Sequence, residues 1–525
     1  MSDGIEDVIL VGLGPVGLTM AAVLGQRGHR VTAIERHPQF YGLPRAGHVD
    51  HEIVRILQSL DAEGPLLADS YPTVEYRWVN ATGETLLEFD WGSAGLSGYH
   101  SHYMQYQPVL EAALADRVRA DPALALLQGW EAVGLVEHED HVAVTARRDG
   151  DDEVRVLRGR YLVGADGAGS FVRKALGIER EDLGFNERWL DVDARKKREL
   201  RFDFDCGQIC DPRRPVTILP LGKRHRRWEW ALLPGEVTGE FEKPDMAWRL
   251  LGELGVGPDD IEIVRQIVYT FEARTARAFR RGRAFLIGDA AHTMPPFMGQ
   301  GMCSGMRDAK NLGWKLDLVL RGLAPDGLLD TFETELRPYV RDWTTISLES
   351  GKVPCTTDPD EARERDARFR AGWLPPMPDF PQIRHGLIHR DPGGAPIAPA
   401  GELSLQARVE RDGRTELFDR AFDAAGRWQV VSTAGDPRAE LDAAQLALLE
   451  RLGTVFAHIG SDVGADARDV DGTYRTYAKE RAVEVTIARP DFYIFGAATT
   501  QAGLPRLVDD LAAQLRMTTV TGGLG

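Results

Sequence analysis

The stretch that most limits what this chain can become is VILVGLGPVGLTMAAVLGQRG, residues 8 to 28. An apolar run ends in Gly12, Gly14 and Gly17, a helical pattern follows at once, and RVTAIER then reads as a second strand ending in Glu35. Strand, glycine turn, helix and strand make a βαβ unit, which commits this half of the chain to a parallel sheet with covering helices. The G-x-G-x-x-G spacing allows a tight turn and brings a pyrophosphate against the helix N-terminus. Glu35, 18 residues past Gly17, is placed to accept the hydroxyls of an adenosine ribose. NAD and FAD both satisfy such a site.

A second device lies about 270 residues later: FLIGDAAHTMPPFMGQGM, residues 285 to 302. Its strand ends at Gly288 and Asp289, a Gly- and Pro-rich loop follows, and a helix opens near Cys303. FAD is long, and its ribityl chain and isoalloxazine need a patch of protein remote from the adenosine end. A strand-end acid such as Asp289 can hold a ribityl hydroxyl, while the backbone of Gly299 to Met302 at a helix start offers N–H groups to the flavin pyrimidine edge. Two devices for two ends of one cofactor select FAD. A third motif, YLVGADG at 161 to 167, has Asp166 and Gly167 as ligand contacts or as a structural turn.

The 525 residues, 43% of them hydrophobic, suffice for two or three domains. A formal charge of -17 repels a polyphosphate backbone, and the basic runs at 195–198 and 223–227 are short and read as solvated loops, so no nucleic-acid partner is expected. Four cysteines without a C-x-x-C or metal-ligand spacing give no zinc site and no dithiol chemistry. No apolar run reaches the ~18 residues that span a bilayer. A soluble cytoplasmic protein is expected, with a homodimer left open.

The organisation reads as a discontinuous nucleotide-binding domain at 1–187 and 274–375, an antiparallel sheet at 188–273 inserted into it, a Pro- and Gly-rich linker at 376–401, and a small α/β tail at 402–525. The tail is expected to be a separate domain, so that a chain ending near Pro399 still binds FAD if it stays folded.

GLGPVG with Glu35, GADG, and GDAAHTMPPFMGQG, taken together and in order, resemble the single-component FAD-dependent aromatic hydroxylases over roughly residues 5 to 350. The runs CDPRRP, RRWEWALLPGE, GMRDAKNLGWKL and RPDFYIFG look most like the 3-(3-hydroxyphenyl)propionate hydroxylase group. The resemblance implies a p-hydroxybenzoate-hydroxylase-like fold and a thioredoxin-like tail. It also implies flavin reduction by NADH or NADPH, and transfer of one oxygen atom from O2 to a phenolic ring through a flavin C4a-hydroperoxide. Carried over residue by residue, Gly12, Gly14, Gly17, Glu35 and the neighbouring Arg36 match the adenosine-pyrophosphate positions. Arg45 and Gln107 match the pyrophosphate-to-flavin stretch, and Asp166 and Gly167 a motif tied to FAD and nicotinamide. Gly288 and Asp289 match the ribityl site, Pro296 the flavin's reactive face, and Gly299, Gly301 and Met302 its pyrimidine edge.

An ionised phenol is the better nucleophile, so a base or relay near the flavin would help. His48, three residues beyond Arg45, is the candidate relay, or a histidine that only fills polar space; His292 reads as support for its turn. Trp228 and Trp230 share one face of a strand and line a substrate pocket or pack in the core. Competing readings are an aromatic-polyketide tailoring hydroxylase, a flavin-dependent halogenase and a non-catalytic FAD-binding protein. The halogenase reading is disfavoured because WEWALLP has one residue too many for W-x-W-x-I-P.

Overall fold

The computed structural model describes residues 4–151, 153–375, 380–461 and 464–516. Residues 376–379 of the expected linker and 517–525 of the tail lie outside that set. The first sheet has a parallel core in the order Ala284–Leu286, Val154–Gly164, Glu6–Val11, Val31–Glu35, Leu124–Gln128. The near-continuous apolar runs of Ala284–Leu286, Glu6–Val11 and Val31–Glu35 fit strands buried on both faces. The three motifs read from the sequence follow the C-terminal ends of neighbouring parallel strands, the edge where open α/β sheets bind ligands.

Helix Pro15–Gly25 crosses the long helix Gly301–Leu320, and glycines set the closeness of the contact. A Cβ on Gly313 would stand 2.4 Å from Val23 Cγ1, and one on Gly17 2.1 Å from the Gly12 carbonyl oxygen. The long helix buries Arg307, Asp308, Lys310 and Lys315, charges that its sequence would ordinarily assign to solvent.

The second sheet has eight strands in the order His292–Thr293, Ile261–Ala276, Arg180–Lys196, His225–Ala231, Val216–Leu221, Gly207–Cys210, Glu75–Asn80, Thr85–Asp90. It is wider than the 188–273 stretch, because the hairpin at 75–90 joins it through a parallel pairing with Gly207–Cys210. The pocket reading of Trp228 and Trp230 is corrected: both are buried behind this sheet, in a core shared with Leu250 and Leu251. Side chains alternate across a strand, so the opposite face carries Arg227 and Glu229. Cys206 and Cys210 are buried with Tyr76, Trp78 and Phe369 as packing residues.

The tail forms a seven-stranded mixed sheet; Val409, Phe418, Ala457 and Ile459 pack in a core of its own, but its other face shares the core of the first domain. Trp428, Phe492 and Phe495 belong to the same apolar cluster as Val8 and Trp314, and the Trp314 and Trp428 rings lie 5.5 Å apart. Arg489 sits between Glu335 and Asp491, and Arg55 is paired with Asp419 at 2.7 Å. The described part of the stretch read as a linker is also tied down: His389 N–H donates to Phe495 O at 2.6 Å, Gly401 N–H to Ile494 O at 2.8 Å, and Ile383, Leu387 and Ile388 are buried. Removing the tail would uncover Trp314 and take Arg489 from Glu335, leaving Lys315 as that carboxylate's remaining cation.

Candidate active site

The strand ends open into one cavity of about 890 Å³. Gly12, Gly14, Glu35 and Arg36 line it beside Arg45, His48 and Gln107; Asp166 and Gly167 follow, then Asp289, Pro296, Gly299, Gly301 and Met302. The two devices therefore meet on one space. Gly17 and Gly288 stand behind the wall: Gly17 clears the turn as above, and Gly288, at φ +58°, donates its N–H to Asp308 Oδ2 at 2.8 Å. The same carboxylate oxygen lies 2.7 Å from His292 Nε2. Although burial opposes it, Asp308 raises the His292 pKa, which gives this histidine the turn-supporting place expected of it.

Glu35 accepts from Leu13 N–H and His37 N–H, each at 2.9 Å, and so ties the second strand to the glycine turn. Gln107 Oε1 accepts from Ala46 N–H at 2.7 Å and Arg45 N–H at 3.2 Å, fixing the loop that carries Arg45. Asp166 serves the local turn, accepting from Ser170 Oγ at 2.5 Å and Val172 N–H at 3.0 Å. The first turn of helix Pro15–Gly25 has no side-chain cap, and neither has that of Gly301–Leu320. Backbone N–H groups at both helix starts are thereby left for an acceptor in the cavity.

Asp289 opens into the cavity and accepts no hydrogen bond from the described residues. The side chain is exposed to the cavity, but the protein around it pushes its carboxyl pKa up, partly offset by His292, Arg45 and Arg180. Gln300, between the two loop glycines, donates to Asp50 at 3.1 Å and accepts from Arg307 at 2.8 Å. Arg307 also binds Glu52 at 2.6 Å; burial, and after it the Glu52 charge, raises the pKa of the Tyr493 hydroxyl of the tail, which lies 2.9 Å from Tyr339 Oη. A buried polar cluster thus extends from the tail to the back of the Gly299 to Met302 loop. Burial would raise the Asp50 pKa, but Arg307 overrules it and holds the carboxylate below the ordinary range.

His48 is buried, with Nδ1 3.3 Å from Gly299 O and Nε2 2.9 Å from His102 Nδ1. Burial lowers the pKa of both rings, that of His102 to about 3. Both are therefore neutral near pH 7.

Beyond His48 the cavity becomes an aromatic chamber bounded by Tyr76, Trp91, Trp189, Phe271 and Phe297. Trp91 lies 5.7 Å from His48 and stacks on Tyr76 at 4.6 Å. One cross-strand row, Glu229, Thr217 and Gln208, provides its polar floor. Sequence reading missed these residues. The available signal was alternation itself: charges at Asp191, Asp193, Arg227 and Glu229 mark the face opposite the tryptophans.

A profile described as FAD binding domain matches residues 6–347, and one described as HcaD C-terminal domain matches 401–514. A probable NADH-specific resorcinol 4-hydroxylase of Rhodococcus jostii is 34% identical over 97% of this chain and 94% of its own. The chain belongs to the FAD-dependent aromatic hydroxylases. A 3-(3-hydroxy-phenyl)propionate/3-hydroxycinnamic acid hydroxylase of a Mycobacterium species is 32% identical over 94% of this chain and 89% of its own. Among solved structures, aklavinone-11 hydroxylase with FAD and aklavinone superposes with a TM-score of 0.78 at 25% identity, covering 98% of this chain and 100% of that one.

FAD is the cofactor of this hydroxylase, and the cavity fits it. Two uncapped helix starts, an open carboxylate at Asp289 and the close backbone at Gly12 and Gly299 face one elongated space of the required chemistry. A matching family of hydroxylases also removes the reason to read the chain as a halogenase or a non-catalytic binder.

Proposed function

We propose that this hydroxylase uses NADH or NADPH and O2 to hydroxylate a phenolic ring: one oxygen atom is inserted into a ring C–H bond as a hydroxyl, the other leaves as water, and NAD(P)H with a proton supplies the two electrons and two hydrogens of that water. The observation that carries this reading is the aromatic chamber opening into the same cavity as Asp289 and the Gly299 to Met302 loop. When bound and reduced, FAD supplies the activation of O2. The chain's own residues hold FAD at both ends, present Pro296 toward the ring system, and close the substrate into an aromatic space that excludes water.

His48 is proposed as a proton relay. Its neutral ring can accept a proton, its contact with His102 offers an exit toward a half-exposed side chain, and its long bond to Gly299 O is the one a substrate hydroxyl would displace. His48→Ala is expected to slow product formation by about a hundredfold, the lower range for general-base catalysis, while FAD content is retained. Equal loss of both would make His48 a prop for the loop.

The identity of the phenol is approached through the relatives, with 3-(3-hydroxyphenyl)propionate, resorcinol and an aromatic polyketide as test compounds. A true substrate is expected to accelerate NAD(P)H consumption and to give a product heavier by one oxygen, labelled from 18O2. No stimulation and no oxygenated product across a broad phenol panel would overturn the reading. The thioredoxin-like reading of the tail draws support from its central strands: Gln429–Ser432 and Val455–Gly460 are parallel, and Val485–Ala488 and Ile494–Ala498 add antiparallel. A cytoplasmic site of action is part of the proposal, supported by four free thiols.

A further inference from the structure

The tail also reaches the aromatic chamber, through a loop. Trp91 follows strand Thr85–Asp90, His102 opens strand His102–Met104, and residues 92–101 between them form a narrow loop. Its two sides are joined by Gly95 N–H to Tyr99 O at 2.8 Å and by Ser101 N–H to Ser93 O at 3.0 Å. At its base the Trp91 and His102 rings lie 4.3 Å apart and flank His48 at 5.7 and 5.1 Å. Trp91 is a wall of the chamber. Whatever places the loop therefore places the rings around His48.

The loop has little to hold it from within. Gly92, Gly95 and Gly98 make it costly to order, and Ser93, Ala94, Leu96, Gly98 and His100 are exposed. Its tip is fixed instead by Gln406, a fully buried residue of the tail. The Gln406 backbone N–H donates to Leu96 O at 2.7 Å, and its side-chain amide donates to Ser97 O at 2.7 Å. The same amide meets Gln58, which accepts from the Tyr99 hydroxyl at 2.7 Å. Gly98 fits because it has no side chain: at φ +74°, a Cβ there would stand 2.6 Å from Leu417 Cδ2 and 2.9 Å from Gln406 O. Gln406 itself stands outside the cavity lining.

Resting on the hydroxylase reading above, we propose that Gln406 is a positioning residue for hydroxylation: it clamps the loop tip, so that Trp91 and His102 stay against His48 and the chamber stays closed to water. A small displacement of Trp91 opens that wall and misplaces the ring to be hydroxylated. The two electrons of NAD(P)H, with two protons, then convert O2 to hydrogen peroxide rather than to product and water. The tail thereby acts on the outcome of the reaction without touching substrate or cofactor.

The test compares the intact holoenzyme with its Gln406→Leu and Gly98→Ala variants. Gln406→Leu keeps an apolar side chain of similar reach but removes the donor to Ser97 O. Gly98→Ala pushes the tip off the tail from the exposed loop side and leaves the tail interior alone. With resorcinol and 3-(3-hydroxyphenyl)propionate as probes, hydrogen peroxide and oxygenated product are measured per NAD(P)H oxidised. Each variant is expected to raise the peroxide-to-product ratio about fivefold, the shift in an opening equilibrium when one hydrogen bond is lost, with FAD content and the rate of NAD(P)H oxidation retained. Hydrogen exchange at residues 92–101 is expected to quicken in parallel. If Gln406→Leu does not fold, Gly98→Ala decides the matter. An unchanged ratio in a folded, FAD-loaded variant, or a joint loss of FAD content and all rates in both variants, would overturn this inference and leave the hydroxylase reading intact. Absence of oxygenated product from the unaltered enzyme with both probes and the broader phenol panel would overturn both.

Discussion

Arg489→Ala is expected to destabilise the folded holoenzyme by about 3–5 kcal/mol, the cost of breaking a buried ion pair and leaving a charge unmatched. Arg489 is fully buried, donates to Glu335 Oε2 at 2.8 Å and Asp491 Oδ2 at 2.5 Å, and also caps the Leu387 carbonyl at 3.0 Å. Glu335 belongs to the helix Asp330–Lys352 and meets Lys315 of the flavin-loop helix at 2.7 Å. One guanidinium therefore joins the tail, the former linker and the FAD-binding core. The measurement is thermal unfolding followed by both far-UV signal and flavin release, which should fall together because Trp314 and Trp428 share one core. Independent melting of the tail with unchanged flavin release would contradict this coupling.

The same cluster sets an acid limit. Burial raises the Glu335 pKa, but Arg489 and Lys315 overrule it and hold it at about 2. A carboxylate of the unfolded chain titrates near ~4.3. With the folded value depressed, the stabilisation is fully present above about pH 4.3 and is lost as pH falls toward 2. Arg489→Ala should flatten that part of the stability profile.

Asp289→Ala is expected to weaken FAD binding by about tenfold to a hundredfold, equivalent to the ~1.5–3 kcal/mol of a hydrogen bond to a charged group. The carboxylate opens into the cavity, and its neighbours Arg45 and Arg180 offset the burial that raises its pKa. The purified protein should be yellow with noncovalent FAD, and titration of the apoprotein with FAD would report the change as a dissociation constant. Asp289→Asn, which retains an acceptor oxygen, should recover part of the loss. An unchanged constant in the alanine variant would remove Asp289 from the ribityl site.

The cofactor site was legible because it is written in short, local and stereochemically demanding runs. Gly12 at φ +99° and Gly299 at φ +62° occupy conformations that favour glycine, and neighbouring atoms leave no room for a Cβ at either. Such positions announce themselves in one dimension. Glu35 follows from the same logic as the last residue of its strand; Asp289, expected at a strand end, sits instead in the 3-10 turn Gly288–Ala290, three residues beyond strand Ala284–Leu286.

The aromatic chamber was not legible in the same way. Alternation divides Trp228 and Trp230 from Arg227 and Glu229, but it leaves open which face meets the ligand. Only the packing of helix Pro244–Glu253 on one side of the sheet assigns the tryptophans to core and Glu229 to the cavity. Likewise, Pro- and Gly-rich composition at 380–401 suggested freedom, whereas backbone bonds to Phe495 and Ile494 hold that segment against the tail.

By itself, the sequence determined the parallel nucleotide-binding core, FAD as its cofactor and the family to which the chain belongs, because those rest on local backbone geometry and fixed spacing. Tertiary structure alone decided which face of the second sheet lines the cavity, that Gln208 joins Glu229 there, and that Arg489 locks the tail to helix Asp330–Lys352. These depend on contacts between residues far apart in the chain, where a charged side chain's partner, and hence its burial, is set by folding rather than by its neighbours in sequence.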